Sequence, residues 1–275
     1  MRRASPTHRE RDTPATVITL TTDFGTADPW AGVMKGVILG IAPGARIVDL
    51  THEVPPRAVL AGALLLRTAV PYFPPGTIHV AVVDPGVGTR RRALLVETDT
   101  AFLIGPDNGV LSLAAPTRAV RRVRDVSRSR YRRQPVSHTF HGRDVFAPVA
   151  AHLAAGVPAR LLGRDVEGMV RLHPPVARRR GRTLTGEVLW VDRFGNLITN
   201  VAVADLAAGG FRGRDVSVTI ADRAAPLRRA YGSMLPGKVL ALINSSGLLE
   251  IAVNQGSAAA ALGVGAGMPL RVQRR

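Results

Sequence analysis

The chain contains no cysteine, which excludes a disulfide framework, thiolate catalysis and thiolate-ligated zinc. Aromatic residues make up only 4% of it, too few to interleave stacking platforms with its cations as single-strand binders do. No stretch approaches the roughly eighteen apolar residues of a membrane span, and the charged opening MRRASPTHRERDTPATV lacks the apolar centre of a secretory signal. No membrane partner and a cytoplasmic location are therefore expected. Lysine is also scarce: Lys35 and Lys238 are the only two, so the formal charge of +17 is almost entirely arginine. Clustered cations suggest phosphate neutralisation, but these scatter over 121–133, 178–182 and both termini. They read as solvated charge from an arginine-rich coding bias, and no nucleic-acid partner is expected.

What is present supports a sizeable core. With 275 residues and 46% hydrophobic content, two domains are more comfortable than one. Residues 1–15 are polar and aperiodic and read as a disordered lead. From Thr16 the pattern alternates. A β-branched run at 17–22 precedes a helical segment at 30–41, a strand at 46–51 and a long apolar helix at 56–73. Strands follow at 77–84, 92–98 and 101–106, and a further apolar helix at 144–157. This order predicts an α/β domain over 16–172 with a largely parallel sheet, whose ligands bind beyond the carboxyl ends of the strands. A Pro- and Arg-rich linker is read at 173–183. Short strands with Gly-rich turns over 184–275 predict a C-terminal antiparallel β-barrel or sandwich.

Four loops place polar groups just past apolar strands. In TTDFGTADPW, Asp23 either caps the following turn or accepts from the paired hydroxyls of a ribose. In VVDPGVGTRRR, Asp84 and Arg91 form either a structural ion pair or a held guanidinium with a task. In SHTFHGRDVF, His138 and His141 are candidate metal ligands with Asp84 or Asp144, although a single catalytic imidazole is the preferred reading. VDRFGNLITN and NSSGLLEIAVNQGSAA offer Asp, Asn, Ser and Glu beside an aromatic or glycine. That combination suits a nucleobase and an amino-acid head group, and equally an ordinary β-turn.

Taken in order, TLTTDFGTADPWAGVMKGVI, DLTHEVPP, VVDPGVGTRRRALLV, GPDNGVL, HTFHGRDVFAPVAAHLA, VDRFGNLITN and NSSGLLEIAVNQGSAA resemble the S-adenosylmethionine hydroxide adenosyltransferases. These are adenosine-forming hydrolases related to fluorinating and chlorinating enzymes. The resemblance runs from about Thr16 to about Val272. It implies an N-terminal Rossmann-like α/β domain and a C-terminal β-barrel. It also implies a homotrimer with active sites shared between subunits, and chemistry on S-adenosyl-L-methionine and water without cofactor or metal. Asp84, Arg91 and His141 would form the catalytic set, Arg91 being the arginine seven residues after the aspartate. Asp23 would take the ribose hydroxyls, Asn196 and the backbone near Val253 the adenine, and Phe194 would pack on its ring. Asp192, Ser245, Ser246 and Glu250 would hold the methionine amine and carboxylate, and Asn108 would be a further substrate contact. A halide-dependent relative and a non-catalytic binder of the same ligand are the alternatives. The charged set favours water over halide.

Overall fold

The computed structural model describes residues 15–211 and 216–274. The expected disordered lead, apart from Ala15, lies outside these residues. The chain divides into two compact units between Leu172 and His173.

The first unit opens with β1 (Val17–Thr22), α1 (Trp30–Ile41), β2 (Arg46–Thr51), α2 (Val59–Ala69) and β3 (Thr77–Val82). β4 (Ala93–Thr98), β5 (Ala101–Pro106) and β6 (Val120–Asp125) follow. A π-helical turn at Gly142–Phe146 runs into α3 (Ala147–Ala154), followed by the single turn α4 (Ala159–Leu162) and β7 (Arg164–Asp165). The seven strands form one sheet in the order β2-β1-β3-β5-β4-β6-β7. β2, β1, β3 and β5 pair in parallel. β4, β6 and β7 run antiparallel, so the sheet is only half parallel. The cause is local: Asp99 and Thr100 alone separate β4 from β5, and so short a link permits a hairpin but no crossover.

β3 is buried along its whole length, as a central strand covered on both faces must be. Its alternate side chains divide the core. Ile78, Val80 and Val82 pack with Met34 and Ile38 of α1 and Val149 of α3. Ala81, with Val83 just beyond the strand, packs with Ala61 and Leu66 of α2. The result is a helix–sheet–helix sandwich. The helix expected over 56–73 is shorter than its apolar run. Arg57 has φ +66 and stays outside it, and Pro71 converts its end into a 3-10 turn at Val70–Tyr72.

The second unit comprises β8 (Arg178–Arg180), β9 (Thr183–Val191), β10 (Leu197–Ala202), α5 (Val203–Ala208), β11 (Val216–Ile220) and β12 (Arg223–Pro226). It ends with β13 (Val239–Ile243), β14 (Leu248–Val253), α6 (Ala258–Leu262) and β15 (Pro269–Arg274). Its eight strands form one antiparallel sheet. A bridge between Leu227 and Ala241 brings the edge strands β12 and β13 together, which nearly closes the sheet into a barrel. Leu184, Val188, Leu197, Val218, Leu249, Ile251 and Val272 fill its interior. Among the described residues no helix is long and apolar enough to cross a membrane.

Candidate active site

Adjacent parallel strands place the first two loops side by side. Thr22 of β1 is in register with Val82 of β3, so Asp23 and Asp84 both follow the carboxyl ends of neighbouring strands, where α/β sheets bind ligands. Asp23 is half-buried, and its Oδ2 accepts from the Arg57 backbone N–H at 2.8 Å. Phe24 meets Phe140 edge-to-face at 5.9 Å, and Phe140 meets Trp30 at 5.4 Å. These rings join the Asp23 loop to the one that carries His141.

The loop after β3 folds back on itself. Thr89 Oγ1 donates to the Gly86 carbonyl and accepts from Arg91 N–H, which turns the Arg91 side chain toward Asp84. Nε of Arg91 donates to Asp84 Oδ1 at 3.0 Å, and Nη2 donates to Oδ2. This side-by-side pair is nearly closed to solvent, with the Asp84 and Arg91 side chains 5% and 10% exposed. Nη2 also lies 2.7 Å from Nδ1 of His141, and the guanidinium sits 5.4 Å above the Phe146 ring centroid. The neighbouring arginines behave differently. Arg92 pairs with Asp107 at 2.6 Å, and Arg90 is exposed. Gly88 (φ +77) lets the loop touch the next one: a Cβ there would fall 2.2 Å from the His138 carbonyl oxygen.

His141 immediately precedes the π-helical turn, a distortion that often marks functional sites. Burial, and then the Arg91 charge, pull its pKa below the ordinary 6.5; the Asp84 and Asp144 carboxylates oppose this. Asp144 is fully buried and bound on both oxygens by Arg143, at 2.7 and 2.8 Å. Burial alone would raise its pKa. The Arg143 hydrogen bonds, the Ser137 N–H and the charges of Arg143 and Arg133 hold it below the usual value. His138 is exposed. Among the described residues no group of three or more His, Cys, Asp or Glu gathers where a metal could be held. Asn108 spends its side chain on its own chain, donating to the Val83 carbonyl at 2.8 Å and accepting from Val110 N–H at 3.1 Å.

In the second unit, Asp192 organises the β9–β10 turn. Its Oδ1 accepts from the backbone N–H groups of Phe194 and Asn196, and its Oδ2 from Asn196 Nδ2 at 3.0 Å. Asn196 is buried, whereas Phe194 is 77% exposed at the tip. Gly195 (φ +82) makes this possible, because a Cβ there would meet Ser257 Oγ at 2.0 Å. In the β13–β14 turn Asn244 accepts from Ser246 and Leu248 N–H, leaving Ser245 and Ser246 exposed. Val253, at the end of β14, pairs with Val239.

Glu250 is 3% exposed and accepts from the Tyr231 hydroxyl at 2.8 Å. Burial raises its pKa, with help from the Asp192 charge and against its Tyr231 and Asn244 hydrogen bonds. Burial, then the Glu250 hydrogen bond and the charges of Glu250 and Asp192, push Tyr231 up to about 12. Sequence reasoning missed Tyr231. It lies in an aperiodic stretch, RRAYGSMLPGK, with no apolar pattern to mark it.

Residues 18–163 match the family model described as the SAM hydroxide adenosyltransferase N-terminal domain, and residues 186–271 the corresponding C-terminal domain. The (R)-S-adenosyl-L-methionine hydrolase of Thermus thermophilus is 44% identical over 91% of this chain and 96% of its own. A crystal structure of a conserved protein from Thermotoga maritima superposes with a TM-score of 0.87 at 36% identity, covering 94% of this chain and all of that one. The fluorinase of Actinopolyspora mzabensis is more distant, at 27% identity over 94% of this chain and 97% of its own.

Proposed function

The chain belongs to the SAM hydroxide adenosyltransferase family, and from that membership we propose that it hydrolyses S-adenosyl-L-methionine to adenosine and L-methionine. The observation that carries the mechanism is the Arg91 guanidinium, held by Asp84 on one side and His141 on the other. A guanidinium only donates, so Nδ1 of His141 is the acceptor and a neutral ring carries its proton on Nε2. His141 then orients a bound oxygen by donating to it. Its lone pair is taken by Arg91, which rules it out as the base in this arrangement.

Water bound beside Arg91 loses its proton to solvent, and the guanidinium stabilises the hydroxide that remains. That oxygen attacks C5′ in line with sulfur. The C5′–S bond breaks, its electron pair returns to sulfur, and the sulfonium leaves as a neutral thioether. The leaving group is already activated, so the site supplies charge and position. Asp23, with one oxygen tied to Arg57 N–H, offers the other to the ribose hydroxyls. Phe194 packs on the adenine, and Asn196 and the backbone near Val253 bind its edge. Asp192, Ser245, Ser246 and Glu250 take the methionine amine and carboxylate, with Tyr231 fixing Glu250. Asn108 contributes by tying the loop after β5 to the end of β3.

The half-parallel sheet with helices on both faces supports a Rossmann-like reading of the first unit. A homotrimer with sites shared between subunits completes the proposal; the exposed Phe194 and Leu235 offer apolar surface for such contacts, and light scattering tests it. The reaction is tested by incubating the protein with S-adenosylmethionine in ¹⁸O-water, with and without chloride. Adenosine carrying one heavy oxygen is expected. A halogenated nucleoside would move the assignment to halide transfer, and unchanged substrate to a binding protein.

A further inference from the structure

Asp144 and Arg143 pair with each other, as Asp84 and Arg91 do, and they flank the loop on which His141 sits. Asp144 ties that loop at three points. Its carbonyl accepts from Arg133 N–H at 2.9 Å, and its own N–H donates to the Phe140 carbonyl at 3.2 Å. Its Oδ2 accepts from Ser137 N–H at 2.9 Å. Arg133, Ser137 and Phe140 thus all bond to Asp144, Ser137 through its fully buried carboxylate and the other two through its backbone. Arg143 neutralises that carboxylate through two hydrogen bonds and lies 5.4 Å above the Phe140 ring centroid. Phe140 in turn packs against Phe24 and Trp30, so the same guanidinium touches the aromatic cluster beside Asp23.

A buried carboxylate with this many partners is costly to retain unless it specifies a conformation. A metal role for Asp144 finds no support, since its oxygens are turned to Arg143 and Ser137. We propose that Asp144 and Arg143 are a positioning pair that sets both the orientation and the charge state of His141. This inference rests on the hydrolytic reading of the Asp84–Arg91–His141 set. The charged and titratable groups facing His141 are Arg91 and Asp84 from the loop after β3, and His138 and Asp144 from its own segment. Arg143 and Arg133 act on it through Asp144. Asp144 is the anion of this group that Arg91 does not hold.

The two partners predict opposite effects. Asp144→Asn removes a negative charge beside the imidazole, so the His141 titration midpoint moves down. Arg143→Gln uncovers that charge, and the midpoint moves up. In both variants kcat falls about 10- to 100-fold, as loss of an orienting partner behind a reacting group typically costs, while KM stays within about threefold. The experiment is an NMR titration of ¹⁵N-histidine-labelled full-length protein, with His141 assigned by comparison with His141→Gln, alongside steady-state kinetics on S-adenosylmethionine. Shifts of opposite sign with kcat losses support the pair. Midpoints that do not move, or that move the same way while melting temperature drops, show mere structural damage and overturn it. Should Asp144→Asn not fold, the upward shift in Arg143→Gln decides alone. Wild-type protein that forms no adenosine refutes the hydrolytic reading, whereas the titration still reads the charge coupling.

Discussion

Nη2 of Arg91 stands 2.7 Å from Nδ1 of His141 while the same guanidinium holds Asp84 through two nitrogens. The cation is therefore fixed from both sides before any substrate arrives. An anionic oxygen that binds it meets a preorganised charge, which needs no rearrangement at the moment of reaction.

Removing this charge should damage turnover far more than affinity. Arg91→Ala is expected to lower kcat by about 10²- to 10³-fold, the range for losing one preorganised donor, with KM changed little. Arg91→Lys keeps a charge but cannot reach Asp84 and His141 together, so it should recover only part of the loss. Unchanged kcat with a raised KM would contradict the role.

Acid should inactivate the enzyme through His141. A protonated imidazole has no lone pair for Arg91 and sets a second cation against it. Because burial and Arg91 hold this pKa below 6.5, the neutral ring dominates above that pH, and activity is lost as pH falls through the depressed value. A kcat/KM profile with its acidic midpoint below 6.5 is expected; a midpoint above 7 would falsify the assignment.

Gly88→Ala tests the fit of two loops. The added Cβ would fall 2.2 Å from the His138 carbonyl at φ +77, so one loop must retreat. Displacing Arg91 from His141 by about 1 Å should cost about 10²-fold in kcat/KM. Gly25→Ala serves as control: φ is also positive, +68, but nothing lies within 4 Å.

Phe194 is predicted to act on substrate and not on folding. At 77% exposure its truncation to Ala should leave the melting temperature nearly unchanged. It should raise KM about tenfold, the worth of one aromatic packing contact. A melting-temperature loss with normal KM would place it in the structure instead.

His79 links stability to pH independently of the site. It is fully buried in β3 with Nδ1 2.8 Å from Thr19 Oγ1, and burial lowers its pKa to about 4. The unfolded chain binds the proton more readily, so this contribution is present above 6.5 and is lost as pH falls toward 4. Urea unfolding should show about 3 kcal/mol less stability over that window. His79→Leu should flatten the dependence; an unaltered slope would sink the attribution.

Much of the fold was legible because its elements are local. The β-branched run at 17–22 and the apolar runs at 46–51 and 101–106 gave strands whose described bounds differ by no more than a residue. The helical segment read at 30–41 is the helix Trp30–Ile41. Parallel or antiparallel pairing was less so. It turned on a two-residue link whose consequence the alternating pattern obscured.

The sequence by itself determined the residue types, their order and the loops that follow each strand, since periodicity and turn chemistry act over a few positions. The family resemblance singles out Arg91 and His141 by motif position. The tertiary structure decided that Arg91 meets both Asp84 and His141 while Arg92 turns to Asp107 and Arg90 and His138 stay exposed. It alone brought Tyr231 to Glu250, nineteen residues away, and turned Asp144 from a candidate ligand into the anchor of its own loop. Those choices depend on strand register, on a carbonyl packed over Gly88 and on burial. Each is a property of segments distant in the chain that come together only in the folded protein.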